Sequence, residues 1–191
     1  ERLNYSLDRA IEIDPVARDA FAARSIIGLR MLNGNCKESL SDIAQAEEIG
    51  NTVDTLTIAG TVYELCGDIK NGIEAKRNAL QLIPNDTGWF VTNSLVFSLY
   101  KDNQISEIYK LLGNDIDAED MRATVLALYA FLEYQKGNTR RAKEYFERAK
   151  INNFDKKKFK RQFTQFGKFN SNQKKLLETT LNGLSKVSNL N

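Results

Sequence analysis

The stretch "GDIKNGIE" at residues 67–74 has four residues between Gly67 and Gly72, as in a loop that cradles nucleotide phosphates. Such a loop needs Gly-x4-Gly-Lys-Ser/Thr, because the lysine reaches the phosphates and the hydroxyl holds magnesium. Ile73 and Glu74 stand at those two positions, one inert and the other repelling phosphate. The preceding "TLTIAGTVYELC" brings Ile58, Val62, Leu65 and Cys66 near one helical face, where a buried strand is required. The stretch therefore reads as the turn of a helix hairpin. The acids of "GNDIDAEDMR" at residues 113–122 suggest calcium, but the central glycine and closing glutamate of a calcium loop are missing. Asp117 is placed instead to cap a helix beginning near Ala118, with Glu119 and Asp120 in its first turn, where negative charge suits the dipole.

Other chemistry is limited by composition. The 191 residues contain no histidine, which removes Ser–His and Cys–His nucleophile pairs and imidazole proton relays. Cys36 and Cys66 cannot build a four-ligand thiolate zinc site within one chain, and their spacing matches no metal motif. Both read as small buried apolar side chains and not as a disulfide framework. Acid pairs such as Glu47–Glu48 have no metal motif beside them. The expectation is a chain that is not an enzyme, with no catalytic residue, no cofactor and no metal.

Charge concentrates in one place. Between residues 155 and 175, Lys156, Lys157, Lys158, Lys160, Arg161, Lys168, Lys174 and Lys175 face a single acid, Asp155. Phe154, Phe159, Phe163, Phe166 and Phe169 interleave them. Bases with aromatics can grip a nucleic-acid strand through phosphate contact and base stacking. They can equally form an amphipathic cap, with Phe159, Phe163 and Phe166 on one stripe and the bases in water.

What positions these groups is a repeat. Apolar residues make up 42% of the chain and only two prolines interrupt it, which favours packed helix. Gly34 to Gly67 is 33 residues and Gly67 to Gly137 is 70, with Asn103 near the midpoint. Ala46 to Ala79 and Ala79 to Ala149 keep the same two steps. Each unit has an apolar-periodic stretch, a Gly or Asn turn, and a second amphipathic stretch ended by a breaker such as Pro84 or "IGN" at 49–51. A helix hairpin of this kind cannot bury its apolar face alone and must stack on its neighbours. The chain opens inside a helical pattern without methionine, so a fragment of a longer protein is expected. No apolar run approaches the ~20 residues of a membrane span.

A step of ~34 residues with this grammar resembles the tetratricopeptide repeat. In residues 53–86, Gly60, Tyr63, Gly67, Ala79 and Pro84 match its small, aromatic, turn, small and breaker positions. Ser39, Gly72 and Ala142 stand at the small residue opening the second helix, whereas Lys76 departs from the later aromatic position that Phe146 fills. The resemblance implies an all-α, right-handed solenoid. It comprises a half repeat at 1–15, repeats at about 18–51, 53–86, 87–117 and 118–153, and a basic segment with capping helix at 154–191.

The order of the parts, with Trp89 just after a breaker and Leu181, Gly183, Leu184 and Lys186 near the end, is similar to one bacterial group. These are the C-terminal repeat regions of class III adenylyl cyclase-like and winged-helix signalling proteins. That likeness implies a protein-interaction and regulatory module, cytoplasmic beside a cyclase or periplasmic beside a membrane-tethered winged helix. Its partner would be a peptide, another protein or its own effector domain, with nucleic acid at the basic segment as the alternative. The concave groove of such a fold is lined by first helices, which places Arg24, Thr57, Thr61, Glu64, Asn93, Phe97, Tyr100, Phe131 and Tyr134 near it. Phe97 and Phe131 are equally suited to packing between hairpins.

Overall fold

The structure is a computed structural model that describes residues 2–31, 34–83, 90–113, 115–117, 121–164 and 171–190. Pro84, Trp89, Ala118, Glu119, Asp120, Phe166, Lys168 and Phe169, all used in reading the sequence, lie outside them. Among the described residues the regular structure is eleven α-helices and one 3₁₀ turn, with no strand. The all-α hairpin organisation expected from the repeat is the one observed.

The chain forms two compact units. The first holds α1 (Arg2–Ile13), the hairpin of α2 (Arg18–Met31) with α3 (Cys36–Ile49), and the hairpin of α4 (Val53–Leu65) with α5 (Ile69–Gln81). The second holds α6 (Phe90–Lys101) with α7 (Ile105–Leu112), α8 (Ala123–Gln135) with α9 (Thr139–Ile151), then α10 (Lys156–Thr164) and α11 (Ser171–Val187).

The turns follow from backbone needs. Gly67 and Gly137 sit at φ 94° and 84°, and Asn103 at φ 59° takes the same left-handed role in the hairpin between them. Asparagine tolerates this region better than other side chains. Helix starts are set by short polar caps. At α4, Thr55 N donates to Thr52 Oγ1 at 3.2 Å while Thr52 N donates to Thr55 Oγ1 at 2.8 Å, a reciprocal box. The helix expected near Ala118, with Asp117 as its cap, falls on residues outside those described. Asp117 itself lies in the 3₁₀ turn Asp115–Asp117, and α8 runs from Ala123 after Arg122. Its carboxylate accepts from Tyr145 Oη at 3.0 Å and Arg148 Nη1 at 3.1 Å on α9.

The marker residues of the repeat are buried where two helices come closest. Ala46, Ala79 and Ala149 are all at most 1% exposed, and Ser39, Gly72 and Ala142 are likewise buried. Between α4 and α5, a Cβ on Gly72 would stand 2.8 Å from the Gly60 carbonyl oxygen, and one on Gly60 would stand 2.8 Å from that of Gly72. Only paired glycines allow this approach. Ile43, Ala59, Val62 and Ala75 form the heart of the first unit, with Phe21, Ala22 and Ala46 clustered nearby.

The cysteines correct the sequence reading. Cys36 and Cys66 are half-buried and joined as a disulfide, with Cα atoms 5.5 Å apart. Cys36 follows the turn of the α2–α3 hairpin and Cys66 precedes that of the α4–α5 hairpin, so stacking brings the two turns together. Their separation of 30 residues is long in sequence and short in space.

Candidate functional site

α6 and α8 have no side open to water. Every residue from Val91 to Tyr100 and from Thr124 to Glu133 is buried. A helix buried on every side needs neighbours all round, which also supply partners for polar groups such as Asn93. In the second unit α7 and α9 cover α6 and α8 from their own hairpins, and the C-terminal segment supplies further cover.

Phe159 and Phe163 of α10 are both 0% exposed. The Phe97 ring meets them at 5.4 and 6.3 Å between centroids, edge to face, and Tyr100 meets Phe163 at 6.0 Å. α11 buries Leu177, Thr180, Gly183, Leu184 and Val187, a stripe of helical period. Gly183 is the point of closest approach. A Cβ there would lie 2.3 Å from Phe131 Cε2 and 2.4 Å from Cδ2, so the α11 backbone rests on the Phe131 ring.

One hydrogen bond fixes the depth. Tyr100 Oη and Thr180 Oγ1 are 2.7 Å apart. Thr180 donates its single hydroxyl proton to the Leu176 carbonyl at 2.7 Å, so Tyr100 is the donor to Thr180. Burial pushes the Tyr100 phenol up to about 12, which keeps that proton in place across the neutral range. Tyr100→Phe should cost about 1 kcal/mol by equilibrium denaturation without changing the helical content. Thr180 loses a donor in that variant but keeps its bond to Leu176.

Most of the remaining residues expected in a groove pack or bond within their own unit. Asn93 is buried and accepts from Thr124 Oγ1 at 3.3 Å. Phe97 and Phe131 are 0% and 2% exposed, so they pack, and Tyr134 is half-buried. In the first unit, buried Thr57 and Thr61 donate to their own helix at Val53 O (2.7 Å) and Thr57 O (3.0 Å). Arg24 points toward α1 and α3. It binds Asp42 through Nε at 2.9 Å and Nη2 at 2.7 Å, and Asp8 through Nη1 at 2.9 Å. Asp42 first, then Asp8, raises its pKa further above the ordinary guanidinium value.

Glu64 turns to Lys76 of α5, both buried, and their side chains form an ion pair. Burial pushes the Lys76 ammonium below its ordinary range against the pull of Glu64. The departure from the repeat's aromatic position is thus a buried charge partner, which lies against Gly60 as Glu64 lies against Gly72.

Lys156, Lys157, Lys158, Lys160 and Arg161 are all exposed on α10. The aromatic stripe between them belongs to the core, so Phe159 and Phe163 cannot stack on bases. The amphipathic reading of this helix accounts for both faces. Phe163 stood on the expected capping stripe and Gly183 in the C-terminal pattern, but Leu177 and Thr180 are contact residues that sequence reasoning did not single out. The cover had an indirect signal in "TVLALYAFLE", which carries too little polarity for a face open to water.

No family model matches the chain. It is similar to tetratricopeptide repeat protein 6 of Homo sapiens, 28% identical over 101 residues, which are 52% of this chain and 19% of that protein. The chain thus spans about a fifth of that relative's length. Stacked helix hairpins, their buried small residues and this similarity make the chain tetratricopeptide-repeat-like.

Proposed function

We propose that this chain is a non-catalytic protein-interaction module whose α6–α8 face takes a helix, and that α11 is the resident occupant a partner helix replaces. The observation that carries this reading is the seat of α11. Among the described residues, an apolar stripe, the buried Tyr100–Thr180 hydrogen bond and the Gly183–Phe131 contact seat it, with α9 and the exposed Lys156–Ser185 bond to α10 at its side. That is the manner in which a groove binds an amphipathic partner helix through anchors spaced three and four residues apart. Similarity to a repeat protein points the same way, toward binding and not catalysis.

The likeness of the residue order to bacterial signalling proteins supports a regulatory setting, in which exchange of α11 for a partner segment changes the placement of an effector domain. Of the two compartments that likeness implies, the Cys36–Cys66 disulfide favours the periplasmic one, since such bonds persist where the surroundings oxidise.

The test uses a labelled synthetic peptide of residues 171–190 and the full chain. A Gly183→Val chain, with its own α11 displaced, should bind the peptide at least about tenfold more tightly than the unchanged chain. Adding Tyr100→Ala to that variant should weaken the binding again. Equal binding to both chains, or none to either, would remove the proposal.

A further inference from the structure

We propose that the Cys36–Cys66 bond is a thiol–disulfide exchange site that locks and releases the two hairpins of the first unit. The bond does not lie in the centre of the core. It joins two solvent-lined turns: Asn35 and Lys37 beside Cys36 are exposed, as are Gly67 and Asp68 beside Cys66. Both sulfurs belong to half-buried residues, which leaves a path for an incoming thiol.

Its position gives it leverage. Cys36 is the first residue of α3, whose start is fixed by Asn35 accepting from Glu38 N at 2.9 Å. Cys66 ends α4, its N–H bonded to the Val62 carbonyl at 3.0 Å. The link therefore ties the start of one hairpin's second helix to the end of the next hairpin's first helix. Sliding or opening of α2–α3 against α4–α5 is blocked at that edge while the bond stands. Beneath it, Ile26, Leu29 and Leu40 of one hairpin meet Ala59 and Val62 of the other. This apolar seam has no covalent tie of its own and opens more often once the link is cut.

The exchange balances with a dithiol as the co-reactant. A donor thiolate attacks one sulfur of the pair, the Cys–Cys bond breaks and the other sulfur leaves as thiolate. The donor's second thiol then resolves the mixed disulfide. Two electrons pass to the protein, which takes up two protons as Cys36 and Cys66 become thiols, and the donor leaves as its own disulfide.

Limited trypsin digestion of the full chain, with and without a dithiol reductant, reads the lock. Cleavage after Arg30 and Lys37 should accelerate at least about tenfold on reduction. Cleavage after Lys143 in α9 should not change. A Cys36→Ser/Cys66→Ser chain should be cut at the fast rate without reductant and should not respond to it. Rates at Arg30 and Lys37 that stay the same after complete reduction of the unchanged chain would overturn the lock. Two free thiols in protein folded in a glutathione redox buffer would overturn the bond itself.

Discussion

Gly183→Ala should destabilise the second unit, although the same change in an exposed helix stabilises by about 1 kcal/mol. The reversed sign is what makes it diagnostic. A Cβ at Gly183 would meet Phe131 Cε2 and Cδ2 at 2.3 and 2.4 Å, distances that real side chains do not tolerate. Phe131 is 2% exposed, so its ring has little room to retreat. Relief must come from lifting α11, which breaks the Tyr100–Thr180 bond and uncovers Leu177 and Leu184. Overpacking of this kind costs about 1–3 kcal/mol, and Gly183→Val should lie at or beyond the upper end. Gly28 in α2 is the control: a Cβ there comes no closer than 3.9 Å, to Ser39 Oγ, so Gly28→Ala should be neutral or mildly stabilising. Denaturant midpoints of the three variants decide the matter, and a stabilising Gly183→Ala would show that α11 is not seated as described.

The second large effect belongs to Glu64 and Lys76. Glu64→Ala leaves a fully buried ammonium without its carboxylate and should cost about 3–5 kcal/mol. Replacing both, as Glu64→Leu with Lys76→Met, should return stability to within about 1 kcal/mol of the unchanged chain or above it. The contrast follows because a buried pair is dear to desolvate but dearer to break. A pH signature accompanies it. Lys76 holds its proton less tightly folded than unfolded, because burial outweighs the attraction of Glu64. Between its folded value and the ordinary lysine value the unfolded chain therefore binds more protons, and stability rises with pH across that window. In Lys76→Met, denaturation followed from neutral to alkaline pH should lack this rise.

Much of the fold was legible because backbone requirements leave sequence traces. Gly67, Asn103 and Gly137 mark turns that need a left-handed residue, and Ala46, Ala79 and Ala149 mark contacts too close for a larger side chain. These demands recur with the repeat and are visible at its step. The contacts of α10 and α11 with α6 and α8 are not repetitive. They pair residues far apart in the chain, such as Tyr100 with Thr180, and no local pattern announces the partner. The stripe of Phe159 and Phe163 announced a capping helix, and the apolar run of α8 hinted that something covers it, but neither named the residues that meet. Arg24 shows a different limit. Its position on a first helix was readable, but its direction is set by Asp8 and Asp42 on two other helices. The disulfide was hidden by counting along the chain. In repeat register Cys36 and Cys66 flank equivalent turns of adjacent hairpins, and that register places them side by side.

The central claim is that α11 is docked on the α6–α8 face and can leave it without unfolding the hairpins. Native-state hydrogen exchange of the full chain tests this most directly. The amides of α11 from Leu176 to Val187 should be protected well above a free peptide of the same sequence, yet less than those of α8 from Val125 to Leu132. Peptide-like exchange throughout α11 would contradict docking, and protection equal to that of α8 would contradict release.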